Sequence, residues 1–245
     1  MTSDVSGSEL DLGPHEDEPH GMGFYGRLNW LRAGVLGAND GIVSTAGIVM
    51  GVTGATTDRG AILVAGVAGL VAGAISMAAG EYVSVSTQRD AEHALLEKER
   101  RELREEPQEE LAELAGLYVD KGLDEDLALK VAEQLTAHDA LGAHAEAELG
   151  IDPDALTNPW HAALASMLAF TLGALLPLLT IGLVAEQARV WVTLGSVALA
   201  LAITGHASAR LAESPVGRAV ARNVGGGLLA MLVTYGVGTL VGPYL

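Results

Sequence analysis

Five apolar runs constrain this chain more than any other feature. Each contains at most one Asp, Glu, Lys or Arg, and each reaches the length of about 20 residues that an α-helix needs to cross a bilayer. A large soluble core can also bury apolar runs, but it does not usually contain five of this length. The runs predict an all-α integral membrane protein with five transmembrane helices, at residues 33–55, 61–81, 160–184, 190–209 and 223–245.

Between the second and third runs the composition changes completely. Residues 88–154 contain 20 Asp and Glu against 7 Lys and Arg, so most of the net charge of −17 lies there. Leucines recur at helical spacing, Pro107 interrupts the pattern and Gly122 ends its second part. The pattern predicts a small helical domain inserted between spans. The predicted divisions are an acidic disordered tail (1–27), transmembrane helices 1–2 (28–87), the acidic domain (88–157) and transmembrane helices 3–5 (158–245).

The connections between spans are predicted from their charged residues. Asp58 and Arg59 mark one turn, residues 186–189 a second, and residues 210–222 a mostly basic third. The helix of the second span is expected to continue past Tyr82, and Pro177 is expected to kink the third. The N-terminus has no basic segment before an apolar core, so no signal peptide is predicted.

Orientation follows from the basic residues. One side of the membrane receives six arginines, and the other receives only Arg59 and Arg189. The positive-inside rule therefore predicts that the N-terminus and the acidic domain are cytoplasmic. The six arginines are Arg27, Arg32, Arg89, Arg210, Arg218 and Arg222.

Three residues in the first two spans are candidates for an ion path. Asp40 lies inside the first run, and Met77 and Glu81 are one helical turn apart near the end of the second. A carboxylate within a membrane costs several kcal/mol on some scales, so it usually faces a partner, a cavity or an ion. The alternative is a structural Asp that caps a helix broken at Gly41. Spaced glycines in the same spans are interpreted as packing positions.

The acidic domain carries recurring carboxylates on each predicted helix. Glutamates recur at positions 99, 102 and 105, then at 106, 109, 110 and 113, while His144 and Glu148 are four residues apart. A bound divalent cation would relieve their repulsion, and carboxylates with one imidazole suit Fe(II), Mn(II) or Zn(II). Such binding is expected to fade near pH 4 to 5, where carboxylates protonate. The alternative is a solvated charged face interleaved with basic residues.

Several motifs resemble those of the vacuolar iron transporter family. They are GANDGIVSTAGIVMGV, GAISMAAGEYVS, YVDKGL, AELG, GALLPLL and VTYGVGTLVG, in that order, and the resemblance covers about residues 28–245. It implies a homodimer in a lipid bilayer that moves Fe(II), and often Mn(II), out of the cytosol in exchange for protons. The membrane would be the plasma membrane in a prokaryote or the vacuolar membrane in a eukaryote. No prosthetic group and no nucleic-acid partner are implied.

The resemblance also assigns residues. The family's pathway Asp and Met fall on Asp40 and Met77, and we add Glu81 to the same path. Methionines sometimes precede the last ligand of the domain, whereas this chain has His144 and Ala145, so the resemblance leaves open whether His144 is a ligand. The domain ligands that it implies are Glu99, Glu102, Glu110, Glu113 and Glu148.

The expected mechanism has the acidic domain collect a cation that then passes Glu81, Met77 and Asp40. Asp40 would alternate between metal-bound carboxylate and protonated acid, and the Met77 thioether would discriminate against Mg(II) and Ca(II). Zn(II) and Co(II) are further candidate ions. The rival function is a membrane-anchored metal buffer or sensor without transport. An enzyme is not expected, because the chain has no HExxH motif and no convincing nucleophile–base pair.

Overall fold

A computed structural model describes the backbone of residues 23–244 and the side chains of residues 32–244. Residues 1–22, which make up most of the predicted acidic tail, lie outside the described residues. The helices are α1 (Gly23–Ala55), α2 (Arg59–Glu105), α3 (Pro107–Asp120), α4 (Glu125–His144), α5 (Pro159–Leu183), α6 (Glu186–Leu211) and α7 (Val216–Val241). A π-helical turn (Ala145–Leu149) follows α4, and a 3-10 turn (Gly242–Tyr244) follows α7.

Five of these helices are long and apolar enough to cross a membrane. They are α1 from Arg32 onward, α2, α5, α6 and α7, and the described part of the chain contains no strand. The predictions of an all-α fold and of five helices of membrane-spanning length are therefore confirmed for the described residues. Helix α2 has 47 residues, about 70 Å, which is more than twice the thickness of a bilayer core. It continues past Tyr82 without interruption, as predicted.

The residues that begin the helices act through capping hydrogen bonds. Asp58 Oδ1 accepts a bond of 2.9 Å from Gly60 N at the start of α2, and Asp124 Oδ1 accepts one of 3.0 Å from Leu127 N in α4. These side chains satisfy backbone donors that have no partner within the helix. Pro107 occupies the first position of α3, where its missing N–H costs nothing. Gly122 has a φ of 104°, the left-handed conformation typical of a helix end.

Two predicted connections are shorter than expected. Residues 186–189 belong to the first turn of α6 rather than to a loop, and Arg189 is buried and donates a bond of 3.4 Å to Thr57 O. Arg218 and Arg222 lie within α7, which begins directly after Pro215.

Helix α5 runs through Pro177 without a break. Neighbouring groups and local adjustments make such prolines tolerable in membrane helices.

Helix α1 lies at the centre of the membrane bundle. It packs against α5, α7, α2 and α6, and its apolar side chains fill the core shared with α6 and α7. Close approach between helices depends on glycine: a Cβ added at Gly41 would overlap Phe170 O of α5, and one added at Gly238 of α7 would overlap Gly51 O of α1. Small residues allow this proximity in membrane bundles.

We expect Gly238→Ala to destabilise the bundle by about 1–3 kcal/mol, because the added methyl group meets the α1 backbone and forces the helices apart. Thermal unfolding in detergent measures the loss. Gly236→Ala is the matched control on the same helix, since nothing lies within 4 Å of a Cβ at that position. Equal unfolding temperatures for the two variants would contradict the packing argument.

Candidate functional site

A cavity of about 380 Å³ opens between α1, α2 and α7. It brings together two of the three predicted pathway residues, Asp40 of α1 and Met77 of α2. The α7 wall includes Gly226, where an added Cβ would meet nothing within 4 Å, and Gly227, where it would overlap Leu201 of α6. The other lining residues are Leu36, Asn39, Val43, Arg222 and Asn223.

Asp40 reaches this cavity from the middle of an unbroken helix. Helix α1 continues through Asp40 and Gly41, so the alternative that Asp40 caps a broken helix is wrong. Ser44 Oγ donates a bond of 2.6 Å to the backbone oxygen of Asp40, and Thr204 Oγ1 of α6 donates one of 3.4 Å to Asn39 Oδ1. The Asp40 carboxylate itself forms no ion pair with a described residue. It is therefore available to a cation.

Glu81 does not line the cavity. It lies one turn farther along α2, toward the acidic helices, and its Oε1 is 3.9 Å from Arg32 Nη2 of α1. The Glu81 side chain is 14% exposed, and its Oε1 has no hydrogen-bond partner among the described residues. A carboxylate so placed is partly desolvated and only loosely compensated by its neighbouring guanidinium.

The acidic cluster is a second site, formed by α2, α3, α4 and the π-helical turn. We use this name for the six residues predicted to hold metal there: Glu99, Glu102, Glu110, Glu113, His144 and Glu148. Glu99 and Glu110 are only 3% and 6% exposed, and His144 is fully buried. His144 Nδ1 lies 3.0 Å from Glu99 Oε1 and 3.6 Å from Glu110 Oε2.

A kink in α4 delivers His144 and Glu148 to this cluster. Asp139 has non-helical dihedral angles, and its Oδ1 accepts a bond of 3.0 Å from Gly142 N, as an N-cap residue does. The π-helical turn then widens the backbone before Gly150, which has a left-handed conformation, ends it. Single π-helical turns are often found at functional sites. Helical periodicity over residues 124–150 predicts one helix, and it indicates neither the kink at Asp139 nor the π-helical turn.

Burial changes the protonation of these side chains. It raises the pKa of Glu99 to about 7, and repulsion from Glu148, Glu110 and neighbouring glutamates adds to the effect. Burial also raises the pKa values of Glu110 and Glu148, and it lowers that of His144. Glu99 is therefore expected to take up a proton at a higher pH than the range of 4 to 5 predicted for the carboxylates of the cluster. At neutral pH the cluster needs protons or a cation to offset its charge.

The cluster fits a divalent transition metal. One ligand atom each from Glu99, His144 and Glu148 can be chosen so that all three lie within 4.8 Å of one another. His144 Nδ1 and Glu99 Oε1 are 3.0 Å apart but not aligned for a hydrogen bond, and His144 Nε2 has no hydrogen-bond partner among the described residues. Carboxylate oxygens with one imidazole suit Fe(II), Mn(II) and Zn(II). Glu102 contributes charge to the cluster, but its Oε2 pairs with Lys98 Nζ at 2.8 Å.

Sequence reasoning missed several residues of the membrane cavity. Arg222 and Asn223 were assigned to a connection and to the edge of a span, yet both line the cavity opposite Asp40. Asn39, the neighbour of Asp40, also lines the cavity. The available signal was the polar pair Arg222 and Asn223 directly before a long apolar run.

Comparisons with known proteins identify the family of this chain. The model of the VIT family matches residues 31–239. A vacuolar iron transporter of Acanthamoeba castellanii is 42% identical over 235 residues, which cover 94% of this chain and 86% of that protein. A vacuolar iron transporter homolog of Oryza sativa is 41% identical, covering 91% and 79%, and one of Arabidopsis thaliana is 36% identical, covering 97% and 96%. Five helices are long and apolar enough to cross a membrane, and the family model and the relatives match nearly the whole chain. The chain is therefore an integral membrane protein that belongs to the VIT family.

Proposed function

We propose that this protein moves divalent transition-metal ions across a membrane, with Fe(II) as its principal cargo and Mn(II) as a second. The observation that carries the proposal is the cavity in which Asp40 and Met77 meet from two different helices. The names of the relatives, which are a vacuolar iron transporter and two vacuolar iron transporter homologs, support iron as the cargo.

The two side chains suit such an ion for complementary reasons. The Asp40 carboxylate supplies negative charge, and the Met77 thioether supplies a soft donor that Mg(II) and Ca(II) do not favour. After a cation leaves, a carboxylate in this setting can take up a proton instead. Exchange of one metal ion against protons is the coupling that we propose, with export from the cytosol as its direction.

The acidic cluster serves as the gathering site in this proposal. Glu99 is 22 residues from Met77 on the same helix, about 33 Å along its axis, so the two sites are physically linked but separate. The proposed orientation places the cluster and the N-terminus in the cytoplasm, because most arginines lie at that end of the spans. The proposed assembly is a homodimer, in the plasma membrane of a prokaryote or the vacuolar membrane of a eukaryote.

Flux into proteoliposomes tests the proposal. We expect Fe(II) and Mn(II) to enter sealed vesicles that contain the full chain. Entry should be faster when the vesicle interior is more acidic than the outside, because protons then leave as the metal enters. Co(II) and Zn(II) serve as comparison ions. Metal binding without flux would support the rival function of a membrane-anchored buffer or sensor. Flux that does not depend on the proton gradient would contradict proton antiport but not metal transport.

We expect the double change Glu102→Gln and Glu113→Gln to weaken metal binding at the acidic cluster by about tenfold or more. Both carboxylates lie close enough to raise the pKa of Glu99, so their charge attracts a cation to the same place. Calorimetry on the full-length protein measures the binding. Transport should slow at low metal concentration more than at saturating concentration.

The matched control for this double change is Glu125→Gln with Glu133→Gln. These exposed glutamates of α4 lie outside the cluster, and their replacement removes the same net charge. If both double variants bind metal as the wild type does, the cluster is a solvated charged surface and the gathering role is wrong.

A further inference from the structure

Arg222 places a permanent positive charge on the wall of the cavity that contains Asp40. It lies in the second turn of α7, and it lines the cavity together with Asp40 and Met77. A guanidinium group stays protonated at any physiological pH. Such a charge is unexpected in a cavity for cations, because it repels the ion that the carboxylate attracts.

The two charges face the same space without neutralising each other directly. Asp40 and Arg222 are the charged members of the lining set, and neither forms an ion pair within 4.0 Å with any residue among positions 32–244. The remaining polar lining residues, Asn39 and Asn223, are neutral. The cavity therefore has no net charge from its walls when Asp40 is ionised, and a net charge of about +2 once a divalent cation enters.

We propose that Arg222 acts as a fixed counter-charge that weakens the binding of a divalent cation at Asp40 and thereby promotes its release. The inference rests on the proposed function and specifies how the affinity of the membrane site is set. A transporter gains turnover when its central site binds weakly enough to let the ion leave. Met77 confers preference for a type of ion, whereas Arg222 limits how tightly any divalent ion is held.

Arg218 provides an internal comparison. It precedes Arg222 by four residues on α7, so it lies about one helical turn, roughly 5 Å, nearer the start of the helix, and it does not line the cavity. If charge on the cavity wall is what matters, removal of Arg222 should affect the site far more than removal of Arg218. If the Arg222 side chain only extends from the helix toward the membrane surface, removal of either arginine should have the same effect on metal binding at the site.

The experiment measures equilibrium binding of Mn(II) to the full-length protein in detergent, by loss of the electron paramagnetic resonance signal of free Mn(II). The component that disappears in Asp40→Asn defines the membrane site. We expect Arg222→Gln to lower the Kd of this component by about tenfold, Arg222→Lys to stay near the wild-type value, and Arg218→Gln to change it by less than about twofold. Arg222→Met is a second neutral variant if the first does not fold.

Transport supplies the kinetic readout. Arg222→Gln should lower KM for Mn(II), because the ion binds more tightly, and should also lower kcat, because the ion is released more slowly. An unchanged or increased Kd in both neutral variants, or an equal effect of Arg218→Gln, would overturn the proposal. Failure of the proposed function looks different: the wild type would move no metal into vesicles. The binding measurement would still decide the role of Arg222 in that case.

Discussion

Replacement of Asp40 by Asn is expected to reduce metal flux by roughly 100-fold or more. The amide has nearly the same size as the carboxylate, but it lacks the negative charge that attracts a divalent cation into the cavity. The fold should survive, because α1 is continuous at this position and no described ion pair depends on the carboxylate. Uptake of Mn(II) or Fe(II) into proteoliposomes measures the effect.

Asp58→Asn is the matched control for that change. Asp58 lies in the turn before α2 and caps the helix, and asparagine caps a helix about as well as aspartate. The control should therefore transport at the wild-type rate. Equal flux in Asp40→Asn and the wild type would show that Asp40 is not on the ion path, provided that gel filtration and thermal unfolding show a folded protein.

The affinity of the acidic cluster for metal should fall as the pH is lowered from 8 to 6. Burial and neighbouring glutamates raise the pKa of Glu99 to about 7, so above pH 7 this ligand is ionised, and below pH 7 a metal must displace a proton from it. We expect a loss of about tenfold per pH unit below 7 for each proton displaced. Burial lowers the pKa of His144, which favours the neutral imidazole that can act as a ligand.

Calorimetry of Mn(II) binding measures this effect, and Asp40→Asn is the suitable background because it removes the membrane site. Titrations in two buffers of different ionisation enthalpy also count the protons released. Glu99→Gln should bind more weakly at pH 8 and should lose most of the pH dependence between 8 and 6. Affinity that stays constant down to pH 5 would show that Glu99 is ionised throughout and contradict the argument.

Much of the architecture was predictable because its causes are local in the chain. A bilayer excludes unpaired backbone groups, so uninterrupted apolar runs become helices wherever they occur. Asp58, Pro107, Gly122 and Asp124 act on the backbone within a few residues of themselves, and the structure has helix ends at each. Motifs around Asp40 and Met77 were sufficient to indicate the family.

The meeting of distant residues was decided by the tertiary structure alone. Arg222 shares a cavity with Asp40, 182 positions earlier in the chain, only because α7 packs beside α1 at glycine contacts. The pKa of Glu99 depends on burial beneath α3 and the kinked end of α4, and the helical pattern contains no information about that depth. Local sequence specifies where helices begin and end, whereas charge interactions between helices depend on distances that packing sets.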